Sequence, residues 1–295
     1  MQSADFLSAV FFYLKVGENL NQNWIVENLN NAFSTWNGKL GELWGLVTTG
    51  PQTFKGGAVW SVMQTLHNGM VGVGYALVVL FFAISLCKNT MNFHELKRPE
   101  AAIHYFLRFV AAKTLVGYGM DIMLNVFSIC NGIVTDMADS MGGISEAMVS
   151  LPAEMQTAIE NVGFLASIPL WLVTILGSLF ITVLSFVMIL TVYGRFFRLY
   201  MYTALAPLPL AAFAGESTQS VGISFLKSYV GVCLEGAVIV LACVIYSAFV
   251  STPTVTSGEA TTIVWSYLAE TVFNMLVLVG LIKGSDRIIH EMMGL

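Results

Sequence analysis

RFFRLYMYTALAPLPLAAFAGE, residues 195–216, decides how the rest of the chain is read. Arg195 and Arg198 open it, Glu216 closes it, no charge lies between Arg198 and Glu216, and Pro207 and Pro209 stand in the middle. As one helix, residues 199–214 reach only about 24 Å, short of the roughly 30 Å hydrocarbon core of a bilayer. Each proline removes an amide donor, and its ring obstructs the preceding turn. Ala206 and Leu208, each before a proline, are pushed toward extended backbone. The stretch is too apolar for a surface loop and too broken for a simple crossing.

Composition sets the frame. Hydrophobic residues make up 56% of the 295 residues and charged residues only 11%, against about 25% charged in an ordinary soluble domain. The apolar residues cluster into runs of membrane-spanning length. The net charge of −5 and the scatter of 13 Lys and Arg speak against broad neutralisation of nucleic-acid phosphates. Cys87, Cys130, Cys233 and Cys243 have no CxxC spacing and read as small buried hydrophobes.

The expected fold is all-α: a polytopic membrane helix bundle of about five spans, with a proline-broken re-entrant segment and an N-terminal amphipathic region. Residues 1–66 form that external region. Leu20, Trp24, Leu29, Phe33, Trp36, Leu40, Leu43 and Val47 recur at helical spacing, and TGPQTFKGG (49–57) reads as a turn. Residues 67–295 form the bundle, with spans at 69–87, 106–128, 170–193, 229–250 and 263–282. Gly69, Gly72 and Gly74 in the first span would let a second helix approach closely. Residues 131–163 read as an external acidic loop with five acids and no Lys or Arg; PAEMQTAIENVGFL within it reads as a short amphipathic helix.

Charge parity fixes the course of residues 199–214. Basic short loops stay in the cytoplasm. Lys88, Lys97, Arg98 and Arg108 therefore lie inside, as do Arg195 and Arg198, and Lys283 and Arg287. Loops 131–163 and 251–262 carry no base and lie outside. The first three spans then alternate with the N-terminus outside, and 229–250 must start inside, so 199–214 returns to the side it left. The competing layout, a kinked sixth span, would place Lys283 and Arg287 outside and break the rule.

Four ionisable residues fall within spans: Lys113, Asp121, Glu235 and Glu270. Such residues face a bundle interior or water. Counting helical rise places Lys113 and Glu235 each about 10 Å from the cytoplasmic edge, close enough in depth to pair. Asp121 and Glu270 fall in the outer half, where two acids call for water, a shared proton or a cation. One reading is helix-packing glue with Lys113 snorkelling; the other is a polar path or ion site. HEL at 94–96 and HEM at 290–292 lack the second His of a zinc motif, and there is neither a Walker A nor a GxSxG sequence. No catalytic, cofactor or metal site is expected, and the chain does not read as an enzyme.

An aromatic-rich run from Arg195 into ALAPLPLA, placed directly after a long uncharged span and before a short polar loop, resembles the TrbL-type subunits, polytopic inner-membrane components of type IV secretion and conjugal transfer systems. The resemblance covers about residues 60–285. It implies a non-enzymatic scaffold or channel component in the cytoplasmic membrane, N-terminus outside and C-terminus cytoplasmic. It further implies self-association, separate ATPases and other secretion subunits as partners, membrane lipid around it, and passing contact with a translocated DNA–protein substrate. Carried onto this chain, it marks Arg195, Arg198, Pro207 and Pro209 as a gate at the cytoplasmic mouth, and loop 131–163 as a meeting place for other subunits. The competing function is a small-molecule or ion transporter built on the intramembrane carboxylates.

Overall fold

A computed structural model describes residues 2–90, 99–140, 148–162, 164–249 and 260–295. Among these residues there is no strand, and nine α-helices follow one another: α1 (Gln2–Thr48), α2 (Ala58–Thr90), α3 (Pro99–Gly117), α4 (Gly119–Ser140), α5 (Ala153–Glu160), α6 (Phe164–Leu205), α7 (Pro207–Ala211), α8 (Gln219–Phe249) and α9 (Ala260–Met293). The protein is an all-α polytopic helical chain. Four stretches are long and apolar enough to cross a membrane: Phe54–Lys88, Ile168–Leu205, Gln219–Phe249 and Thr262–Met293. They contain the expected spans 69–87 and 170–193 whole, 263–282 whole, and 229–250 up to Phe249. The basic residues Lys97 and Arg98, the acid Glu146 and loop residues 251–259 lie outside the described residues.

Two compact units can be distinguished. The first comprises Met1–Trp44, Met141–Thr191 and Ala242–Lys283. Its organising feature is the apolar stripe of α1: Ile25, Leu29, Phe33, Trp36, Leu40 and Leu43 are all buried, as a helix of period 3.6 with one apolar face requires. Among the stripe residues whose side chains are described Trp24 is the exception, being partly exposed, and it meets Trp171 at a centroid distance of 5.6 Å; Leu20 lies outside them. The asparagines of α1 are used as clips. Asn28 donates to the Ser178 hydroxyl at 3.1 Å. Asn37 donates to the Val149 carbonyl at 2.8 Å and accepts from the Val149 amide at 2.9 Å. Its side-chain amide thereby satisfies an irregular segment that has no helical partners of its own. Tyr267 donates to the Ser150 carbonyl at 3.0 Å and packs edge-on against Phe33. The short helix α5 buries Met155 and Ile159.

The second unit comprises Gly45–Ser140, Val192–Leu241 and Gly284–Leu295. It begins with the expected turn, which tightens into a 3₁₀ turn at Phe54–Gly57 where Lys55, Gly56 and Gly57 all take positive φ. Phe54 from this turn stacks on Phe196 at 4.1 Å, and Tyr200 donates to the Pro51 carbonyl at 2.8 Å.

The stretch 106–128 is not one straight helix. It divides between α3 and α4, with Tyr118 in a turn flanked by Gly117 and Gly119. Two glycines in one turn weaken a helix by about 1 kcal/mol each. They also allow tight packing: a Cβ at Gly117 would lie 2.8 Å from the Tyr75 hydroxyl, and one at Gly119 would lie 3.2 Å from Leu210. Residues 131–140, expected in the acidic loop, are instead the last turns of α4, with Val134 and Ala138 buried and Asp136 and Asp139 exposed.

The proline stretch also differs in form. Residues 199–205 continue α6, and Ala206 is helical in its dihedrals (φ −49°, ψ −37°), not extended. The chain turns there into the short helix α7, then a 3₁₀ turn at Ala212–Ala214. The prolines fall at the first and third positions of α7, where an amide would have no partner within α7 itself. The resulting hook packs on α2 and α3. Of the three glycines in the first expected span only Gly74 serves a close approach: its Cβ would lie 2.9 Å from the Pro207 carbonyl. Gly69 and Gly72 face open space.

Candidate functional site

The site is built where α6 passes α8 and the end of α9, all within the second unit. Arg195 is completely buried. Its guanidinium finds no carboxylate in hydrogen-bond range; it donates instead to three main-chain carbonyls. Nε reaches Val232 at 3.2 Å, Nη2 reaches Cys233 at 3.1 Å, and Nη1 reaches Val47 at 3.4 Å. Val47 lies in the last turn of α1, whose carbonyls have no intrahelical donors and form the negative end of the helix dipole. That turn carries no basic residue of its own, so the cation is supplied from α6. Access depends on Gly236: a Cβ there would lie 2.8 to 2.9 Å from the guanidinium atoms.

One turn further along α6, Arg198 makes the ion pairs. Its Nη2 donates to both oxygens of Glu235, at 2.8 and 2.6 Å, and its Nη1 donates to Asp286 of α9. Glu235 is 1% exposed and also accepts from the Ser285 hydroxyl at 3.2 Å. Two arginines and two carboxylates thus form a group with no net charge. That neutrality permits it to exist away from water, where an unbalanced charge costs several kcal/mol.

Arg195, Arg198 and Glu235 are therefore brought together. Lys113 is not part of the group. It is exposed on α3, whose buried face carries Ala112 and Val116, and the partner of Glu235 is Arg198 in its place. Equal depth does not make two residues neighbours: Lys113 lies on the exposed face of α3, whereas Arg198 faces Glu235 directly. Asp121 is exposed in the first turn of α4. It lines a cleft of about 530 Å³ with Asn125, Ser128, Asn131 and the 50–52 turn. Glu270 is exposed on α9 in the first unit. Among the described residues no group of three or more His, Cys, Asp or Glu side chains is placed to hold a metal ion.

Pro207 and Pro209 shape the hook, and Pro207 has a second effect. In an unbroken helix the Thr203 carbonyl would accept from the amide of residue 207. Proline has none. His67, buried on α2, occupies the vacancy: its Nδ1 donates to the Thr203 carbonyl at 2.7 Å. Ser285, Asp286 and Gly236 have no role in the sequence reading; His67, one of four histidines dispersed near span ends, reads there as solvated or capping, whereas the structure buries it. A signal for His67 existed, since the proline at 207 leaves a carbonyl that some donor must satisfy. Nothing in the sequence says that the donor is His67. Cys130 on α4 and Cys233 on α8 are also both buried and neighbours beside this group, although 103 positions separate them.

No curated protein matches the chain. A family model described as "TrbL/VirB6 plasmid conjugal transfer like protein" matches residues 36–207, a region that holds Arg195, Arg198 and Pro207.

Proposed function

The chain belongs to the TrbL/VirB6 plasmid conjugal transfer-like family, a membrane component of conjugal transfer. From that premise we propose that it is a non-enzymatic scaffold and channel subunit of a type IV secretion machine, self-associating in the cytoplasmic membrane and helping substrate across it. The family match over more than half of the chain carries this reading. The partners that follow are other secretion subunits, separate ATPases, further copies of the chain, and the DNA–protein substrate in transit.

The layout proposed is N-terminus outside and C-terminus cytoplasmic, with the α6–α8 connection returning to the side it left. Support comes from the second unit, which contains the end of α6, the whole hook, the start of α8 and the end of α9. The Arg198–Glu235–Asp286 pairing ties those three helices at one level. The hook, held against Gly74 of α2, is proposed as a fixed part of the cytoplasmic mouth. Its Pro207 and Pro209 set its shape, and Arg195 and Arg198 anchor the helix it hangs from.

The test is a mating assay with an in-frame deletion of this gene in its conjugative element, complemented by wild type and by Glu235→Gln. Transfer is expected to vanish with the deletion, to return with wild type and to return only weakly with the variant. Undiminished transfer from the deletion strain refutes the reading. Substrate-dependent flux through liposomes containing the purified protein alone would favour the transporter alternative instead.

A further inference from the structure

A slot opens beside the hook. Arg198, Met201, Tyr202 and Leu205 of α6, Leu208 and Pro209 of α7 and Phe225 of α8 line a cavity of about 420 Å³. The slot exists because α6 stops at Leu205. The two prolines turn the chain, and α7 then stands off as a separate wall. Apart from the Tyr202 hydroxyl, Arg198 brings the only polar side-chain atoms to this lining.

The surroundings say what kind of molecule meets the slot. Both α6 and α8 are long and apolar enough to cross a membrane. Phe197, Met201 and Leu205, one helical turn apart on α6, are exposed, so the rim is an apolar stripe facing outward. Arg198 uses Nη1 on Asp286 and Nη2 on Glu235; its Nε makes no hydrogen bond among the described residues, and its side chain is 26% exposed. An apolar slot with one unspent cationic donor in its lining matches an amphiphile. The tail loses no water on entering, and an ester or phosphate oxygen can accept from the guanidinium in a charge-assisted bond.

We propose that this slot is a specific seat for a membrane phospholipid, one acyl chain lying between α6, the hook and α8 and a head-group oxygen on Arg198 Nε. The seated lipid completes the wall of the hook. The proposal rests on insertion of these helices in a bilayer and is independent of the conjugative role.

The test uses the full chain in phosphatidylethanolamine–phosphatidylglycerol nanodiscs doped with a phosphatidylglycerol carrying a photoreactive diazirine in its acyl chain. After illumination, labelled residues are mapped by mass spectrometry. Labelling at residues 201–209 and Phe225 is expected to exceed that at Leu176 and Phe180, exposed residues of α6 in the first unit, several-fold. Leu208→Trp, at a half-buried position, fills the slot and is expected to reduce the excess to the level of Leu176. Even labelling of all exposed apolar positions overturns the proposal, as does an excess unchanged by Leu208→Trp. Capture of the 201–209 segment by a second copy of the chain, with no lipid adduct, overturns it in favour of a protein occupant. If Leu176 and Phe180 also stay unlabelled, bilayer insertion itself is what fails.

Discussion

Replacing Glu235 by Gln keeps the volume of the side chain and removes its charge. Glu235 is 1% exposed, and both of its oxygens accept from Arg198 Nη2. Its loss leaves Arg198 with only Asp286, and Arg195 is fully buried with main-chain carbonyls as its hydrogen-bond acceptors. Breaking one side of a buried ion pair costs about 3–5 kcal/mol, because the remaining charge has no water to turn to. Asp286 is the natural control. It pairs with the same arginine but is 43% exposed, so Asp286→Asn should cost no more than about 1 kcal/mol. With about 2–4 °C of melting temperature per kcal/mol for a chain of this order of size, Glu235→Gln should lower the midpoint by roughly 6–20 °C and Asp286→Asn by less than about 4 °C. Intrinsic tryptophan fluorescence of the purified protein in mild detergent reads this directly. Equal shifts for the two variants, or a negligible one for Glu235→Gln, would refute the reasoning that burial makes the Arg198–Glu235 pair decisive.

His67→Phe leaves the Thr203 carbonyl without a donor and should cost about 1–3 kcal/mol. Pro207→Ala in the same chain restores an amide four residues after that carbonyl, so the double variant should be less destabilised than the sum of the singles in a thermal double-mutant cycle. Gly236→Ala should destabilise even though alanine is the better helix former by about 1 kcal/mol, because the methyl group displaces the Arg195 guanidinium. Gly280→Ala on α9, where nothing lies within 4 Å, should gain stability by the same melting assay. In a chain with Cys87 and Cys243 replaced by Ser, mild diamide should join Cys130 to Cys233, read as loss of both thiols to maleimide. Unchanged maleimide labelling would show that α4 and α8 do not meet there.

Much of this architecture is written in local pattern. The α1 stripe from Leu29 to Val47 is legible because a helix with one apolar face repeats its burial every three or four residues. The turn at 49–57 is legible because Gly50, Pro51, Gly56 and Gly57 leave little else possible. The charge-free core of α6 and the arginines that end it announce themselves by composition. What escapes is whatever depends on two distant segments meeting. Glu235 pairs with Arg198 rather than Lys113 because α6 packs beside α8 there while Lys113 points off the exposed face of α3, and hydropathy does not say which helices are neighbours. The proline stretch reads as broken, which is correct, but helix or extended backbone is decided by where the prolines fall in a first turn. His67 is identified only when α2 is seen to lie against Thr203.

The buried arginines bear on how the protein is made. Arg195 and Arg198 leave the ribosome 37 residues before Val232 and Glu235 and 88 before Asp286. During that interval the end of α6 carries two cations that lack their carboxylate and carbonyl partners on α8 and α9. A message cut short before codon 235 would leave Arg198 with neither of its carboxylates, so a truncated product carries an unmatched charge that the full-length chain does not.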